Sequence, residues 1–468
     1  MDSLTNPILL SRIQFAVTAL FHILWPVLTI GLSIFLVILE ALHMKTGNEE
    51  YRRHARFWTR LFLLNFTVGV VTGIPMEFQF GTNWSVFSAA GGDFFGHILG
   101  FEAAMAFMLE ATFLGIMIFG RERVSPRMHL FATSMVALGG TLSAFWIMVA
   151  SSWMHTPTGG YFENGRFVIT DHMAAVFNPD MPWGVSHMWV ACLETSLFVI
   201  GGISAWYLKK GRFTDFFLRS FKMAVIAAIV VTPLQIWLGD GSGRAVYEHQ
   251  PTKLGAIEAH WQTNPPGEGA PWKILAWPDR AQQKNLWEID IPCGLSLLLT
   301  HSATGRVRGL TDFPKEDQPP VLVPYYAFRV MLAGGGTLLL ITIWTLLAWR
   351  KGDLTSGRIA GRKRLLTAWM AAIPLSYLAM EAGWVTREVG RQPWMLYGLL
   401  RTHDSATSIH AATVGASLLT FSVVYPLLFA LFLLFARQII ARGPEEEPPR
   451  MPDSRVAPRP NGIHTKTD

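Results

Sequence analysis

Apolar residues recur along the chain in nine long runs, near 12–40, 58–80, 94–120, 129–151, 184–208, 218–239, 323–349, 364–386 and 408–436. A helix rising ~1.5 Å per residue needs about 20 residues to cross a bilayer's hydrocarbon layer, and each run is that long. The pattern predicts an all-α membrane protein, a bundle of nine transmembrane helices. Between the sixth and seventh runs, residues 240–322 are rich in Pro, Gly, Trp and charge, and too long for a simple connection, which predicts a structured loop or small subdomain. Residues 443–468 are Pro-rich and charged with nothing to bury, which predicts a disordered tail behind a membrane domain spanning 1–442. The chain shows no fixed-period repeat and no second domain, and its first apolar run, without a small-residue cleavage site, is expected to be retained.

Charge orients the bundle. The connections at 41–60, 121–127, 208–222 and 350–364 carry clusters of Arg and Lys, whereas those at 81–93 and 152–183 hold between them only Arg166. By the positive-inside rule the basic set is cytoplasmic. The N-terminus is then outside, the tail inside, and the 240–322 segment on the outer face. The formal charge of +6 is therefore a topology signal and not a nucleic-acid footprint. With 51% hydrophobic and 15% charged residues, the composition agrees with a multi-pass membrane protein. The two cysteines, Cys192 and Cys293, imply neither a disulfide framework nor a thiolate metal site.

Side chains that lipid should expel are the candidates for chemistry. Glu102 and Glu110 lie within the third run, eight residues and roughly 12 Å apart along a helix, on one broad face. A carboxylate at this depth normally faces protein, water or a cofactor and marks a proton or ion path; the plainer reading is a neutral, hydrogen-bonded pair tying helices together. Glu381 is a third strong intramembrane acid. Glu40, near a helix end, and Glu194, seven residues after His187, are weaker cases. His22 taken alone reads as a hydrogen bonder between helices, and Met331 as core filler. Together with His187 and Arg329 they change meaning, because His and Met can serve as axial ligands of a low-spin haem and Arg can neutralise propionates. These groups come from different helices and weight the outer half of the bundle, which suits a redox cofactor supplied with protons. Gly334–Gly336 and the GDGSG run at 239–243 lack the strand-and-helix context of a phosphate loop; the former reads as close helix packing.

Several motifs resemble one family over nearly the whole chain: SRIQFAVTALFH at 11–22, MEFQFGTNWS at 76–85, FEAAMAFMLEATF at 101–113, GISAWY at 202–207, TKLGAIEAHW at 252–261, YAFRVM at 326–331 and EAGWVTREVGRQPW at 381–394. Together they are similar to subunit I of the bacterial cytochrome bd quinol oxidases. The resemblance implies a quinol:oxygen oxidoreductase of the inner membrane with three haems near the outer face. His187 and Met331 match the axial ligands of a low-spin haem b. His22 matches the ligand of haem d and Glu381 that of the high-spin haem b, although members of the family exchange the two sites and some carry haem b in place of haem d. Glu102 and Glu110 match proton carriers, and Lys253 and Glu258 the residues of quinol oxidation. Arg329, Arg391 and Trp384 are expected around the haems. The short stretch from Leu310 to Pro324 is similar to the short-loop, cyanide-insensitive branch. Expected partners are subunit II, a small single-helix accessory subunit, membrane lipid, ubiquinol or menaquinol, and dioxygen. Two other classes compete: a haem b quinol reductase with a different acceptor, and a proton-coupled transporter, which should show internal repeats or broken helices at mid-membrane.

Overall fold

The structure, a computed structural model, describes residues 6–444; the expected tail, from residue 445 on, lies outside the described residues. Polar capping residues set where the helices begin and end. Asn6 opens α1 (Pro7–Thr46), its side chain accepting from the amides of Ile8 and Leu9, with Pro7 in the first turn; Gly47, at φ 65°, closes it. Asn48 caps α2 (Glu49–Thr82), whose first turn carries Glu49 and Glu50 against the helix dipole. α3 (Ser85–Phe101) passes through a π-helical turn, Glu102–Phe107, into α4 (Met108–Phe119). Ser125 caps α5 (Pro126–His155).

The strands β1 (Gly160–Glu163) and β2 (Arg166–Ile169) form an antiparallel hairpin that pairs Tyr161 with Val168. Its Asn164–Gly165 turn uses positive φ at both positions, as a two-residue hairpin requires. The short α6 (His172–Val176) leads to α7 (Met181–Lys210), then α8 (Thr214–His249). The long connection folds as α9 (Pro251–Ile257), the antiparallel hairpin β3 (Trp272–Asp279) and β4 (Lys284–Ile291), and α10 (Gly294–Thr300). The remaining elements are α11 (Leu322–Arg350), α12 (Lys363–Val389), the small pair β5 (Trp394–Leu396) and β6 (Leu400–Arg401), and α13 (Ala411–Arg442).

Among the described residues nine helical stretches are long and apolar enough to cross a membrane, and they coincide with the nine apolar runs. Two boundaries differ in a way that matters. α8 continues ten residues past the apolar run, so the GDGSG segment is helical and the connecting loop starts at Gln250. The third span carries a π turn at Glu102, where a uniform helix was expected. Of the three consecutive glycines, only Gly334 makes a close helix contact, against Ala379.

α7 sits centrally, packed against α1, α5, α8 and α12. At the end of the bundle bearing the basic connections, a core of Phe57, Trp58, Phe198, Tyr207, Phe217 and Trp369 fills the space between helices. Its indole N–H groups are satisfied inside the bundle, Trp58 by Ser220 and Trp369 by Thr345. Large apolar side chains such as Leu419, Leu427 and Leu434 stand exposed along α13, as a lipid-facing helix requires.

Candidate active site

A second, smaller core lies midway in the bundle, where Val27, Ile30, Ala144, Cys192 and Met380 are buried together. Ile23, Met188 and Trp384 pack against it. The chain neighbours of three candidate ligands, His22, His187 and Glu381, thus meet in one cluster, and Trp384 belongs to it directly. The candidates themselves are held in three different ways. His22 Nδ1 lies 3.0 Å from Thr72 Oγ1, a polar partner on α2 that the apolar sequence around His22 did not announce. His187 Nε2 approaches Gln235 Nε2 at 3.4 Å while its Nδ1 is buried without a partner. Both carboxyl oxygens of Glu381 are buried and unpartnered. Buried polar atoms are nearly always satisfied, so such orphans require an explanation.

The opposing helices leave room at these positions. A Cβ added at Gly73 would lie 3.1 Å from His22 Cε1, one at Gly239 would lie 3.2 Å from His187 Cε1, and one at Gly383 would lie 3.1 Å from Met331 Sδ. Three candidate ligands each face a residue that has no side chain. Among the described residues no three His, Cys, Asp or Glu side chains converge as they would around a bare metal ion. Donors that stand singly suit a macrocycle that fills the other positions of its own metal.

Glu102 and Glu110 both face α5. Ser143 Oγ donates to Glu102 Oε1 at 2.7 Å, and Glu110 Oε1 lies against Gly140, one turn earlier. Glu77 on α2, which sequence reasoning passed over, stands close enough to Glu102 for their charges to interact.

The long connection supplies the other half of the site. α9 points its two chemical residues in different directions. At its end, Glu258 Oε2 accepts from Arg329 Nη2 at 2.6 Å, and Arg329 also donates to the Lys273 carbonyl. Trp272, Tyr325 and Phe328 surround the guanidinium, with the Tyr325 ring centre 4.6 Å from its central carbon. Arg329, expected at a propionate, is thus mostly engaged with the loop, with Nη1 alone left unpartnered. Burial raises the Glu258 carboxyl above its ordinary range, and the Arg329 charge opposes this.

Lys253, buried, faces the opposite way and does not meet Glu258. Its Nζ lies 3.4 Å from Gln250 Oε1 and 3.5 Å from His155 Nδ1. Burial first, and the Arg387 cation second, pull the amine down to about 7. Behind it lies a network of which sequence reasoning named only Arg391, assembled from the ends of α5, α7 and α12. His155 Nε2 lies 3.3 Å from Glu388 Oε1, Arg391 donates to Glu388 Oε2 at 2.6 Å, and Arg387 to Asp180 Oδ2 at 2.6 Å. Burial, the largest single influence, would raise Asp180, but the charge and hydrogen bond of Arg387 together with His155 and Lys253 bring the carboxyl down to about 2. Arg391 keeps two further nitrogens, Nε and Nη1, buried and unpartnered, which suits an anionic group such as a propionate. The available signal was Arg387, Glu388 and Arg391 crowding the end of an apolar span within five positions.

Residues 10–444 match the family described as cytochrome bd terminal oxidase subunit I. The chain is 36% identical to the cytochrome bd ubiquinol oxidase subunit 1 of Bacillus subtilis (strain 168), over 94% of this chain and 95% of that one. It is 35% identical to the cytochrome bd-II ubiquinol oxidase subunit 1 of Escherichia coli (strain K12), over 93% and 96%. The solved bd oxidase of Geobacillus thermodenitrificans superposes with a TM-score of 0.86 at 31% identity, covering 95% of this chain and all of that one. Agreement of this extent, reaching through every membrane span and the long connection between α8 and α11, makes the chain a member of the cytochrome bd terminal oxidase subunit I family.

Proposed function

We propose that the chain is the haem-bearing subunit of a short-loop, cyanide-insensitive quinol:dioxygen oxidoreductase of the bacterial inner membrane. It works with a second subunit and a small single-helix accessory one. The observation that carries this reading is the set of buried donors without partners, His187 Nδ1 and both Glu381 oxygens, each on a helix that meets the midway core. His187 and Met331 would hold a low-spin haem b, His22 haem d or a haem b in its place, and Glu381 the second haem b, with Arg391, Arg329 and Trp384 around them. Bound haem supplies one-electron redox chemistry and an iron at which dioxygen can be reduced, which no side chain provides.

The chain's own residues handle position and protons. A quinol, ubiquinol or menaquinol, docks on the outer loop, where Glu258, raised by burial, takes a proton at its carboxylate as electrons depart. Arg329 holds that carboxylate in place and stands two residues before Met331 on the same helix, which joins the proton acceptor to the electron-accepting side. Lys253, held at about 7, is neutral in a substantial fraction near neutral pH and in that form accepts the second proton. Glu110 and Glu102 carry protons from the cytoplasmic side, the latter oriented by Ser143. Release on one face and uptake from the other moves charge across the membrane without a pump. The test is a reduced-minus-oxidised absorbance spectrum of the purified two-subunit complex. Haem b bands, with a chlorin band in the red where haem d is present, are expected, and a spectrum without haem would overturn the reading.

A further inference from the structure

We propose that the β3–β4 hairpin is seated in the membrane, its apolar face lying among the headgroups and first methylenes of the bilayer leaflet at its own end of the bundle. The proposal goes beyond the quinol reading and does not depend on it. A strand alternates its side chains between two faces, and on a globular protein the apolar face of a hairpin packs on the core while the polar face meets water. Here the order is reversed.

The register opposes Leu275 to Ile289, Ala276 to Glu288 and Lys273 to Asp290. The face turned to the protein is the polar one. Lys273, 7% exposed, lies 3.7 Å from Glu288, and Asn285 accepts from the Trp261 indole at 2.8 Å and donates to the Ala259 carbonyl. The face turned outward carries Leu275, Trp277, Trp287, Ile289 and Ile291, each between 44% and 57% exposed. Leu297 and Leu298 of α10, which follows β4, stand exposed as well. Single exposed apolar side chains need no explanation, but a whole face of them marks a partner or a membrane.

The level of the hairpin decides for lipid. β3 runs beside the first turns of α11, which is one of the spans. The Tyr325 and Tyr326 hydroxyls donate to the Lys273 and Ala276 carbonyls at 3.2 and 2.9 Å, and Arg329 donates to the Lys273 carbonyl too. The Trp277 ring meets Tyr326 edge-on, the ring centres 6.2 Å apart. Leu322, Val323 and Val330 of the same stretch are exposed, so the hairpin's outward face stands at the height where α11 itself meets lipid. Trp and Tyr favour that level, which accommodates both an apolar ring and a polar N–H or O–H. An open strand edge cannot enter the hydrocarbon interior, and the exposed turn residues Arg280, Gln282 and Lys284 need water, so the hairpin lies flat at the interface. Because the Lys273 carbonyl also holds Arg329, whose other partner is Glu258, this seat ties the Glu258 carboxylate to the edge of the bilayer.

The test attaches a nitroxide to single cysteines in the two-subunit complex in phospholipid nanodiscs, with Cys293→Ser removing the partly exposed native thiol; Cys192 is buried. Collision rates with dioxygen, which concentrates in lipid, and with a water-soluble nickel chelate are compared at Ile289→Cys and at Ala281→Cys in the exposed turn. The expected result is an oxygen-to-nickel ratio several-fold higher at position 289 than at position 281, with Trp287→Cys and Leu275→Cys repeating it should Ile289→Cys fail to assemble. A ratio no higher at the three apolar positions than in the turn leaves the face in water and overturns the proposal. Shielding of those positions from both reagents places a protein on the face, subunit II or a second copy, and overturns it as well.

Discussion

Lys253 and Glu258 stand five positions apart at one short helix and are held in opposite ways, the amine without a carboxylate in contact, the acid locked to Arg329 at 2.6 Å. An amine held at about 7, against an ordinary value of ~10.4, is charged below neutrality and neutral above it. As the neutral form is the proton acceptor, quinol-driven turnover is expected to rise as pH passes upward through about 7. Lys253→Met should abolish that limb of the profile, and its persistence in the variant would contradict the role. Arg329→Ala removes one partner of a buried ion pair, a loss worth about 3–5 kcal/mol. It should lower the thermal stability of the long connection and disturb the low-spin haem spectrum, measured by proteolysis on heating and by absorbance. Site residues divide sharply in how well they were legible. His22, Met331 and Glu381 could be named because each falls in an apolar span inside a family motif, and His187 because it stands near the start of an apolar span. His155 and Asp180 did not, because a polar residue at a span's end ordinarily meets water, and only the convergence of α5, α7, α9 and α12 removes it from solvent.

The helices were legible as elements because lipid imposes a length and an apolar surface on each, and capping residues such as Asn6, Asn48 and Ser125 set off their starts. The end of α8 was not, since Gly239, Gly241 and Gly243 read as a loop. In the structure Gly239 and Gly241 let α8 approach His187 and Trp183 of α7. Replacing glycine by alanine inside a helix normally stabilises by roughly 0.5–1 kcal/mol. Gly239→Ala should do the reverse, since its Cβ would sit 3.2 Å from His187 Cε1 and displace the ring. Gly243→Ala, which meets nothing within 4 Å, is the control. The expected outcome is loss of the low-spin haem band in the first variant and an unchanged spectrum in the second. The π turn at Glu102 was equally invisible, because an inserted helical residue leaves the apolar pattern intact while turning Glu102 relative to Glu110.

At the scale of the molecule, two ends of one bundle have different chemistry. One carries the basic connections; the other carries the folded long connection, Lys253, Glu258 and the buried network of Arg387, Arg391, Asp180 and Glu388. The haem-ligand candidates lie between, beside the core of Val27, Cys192 and Met380. On the proposed reading, acids and cations in such positions hold a cofactor and move protons. In closed vesicles containing the two-subunit complex, quinol oxidation should therefore build a membrane potential, and a proton-to-electron ratio above about one would show pumping that these residues do not provide. The most direct measurement of the whole account is dioxygen consumption by the purified complex on addition of a quinol. The account predicts uptake at the expense of quinol, with the haem bands reduced when oxygen runs out; a colourless, iron-free complex that leaves dioxygen untouched would contradict it.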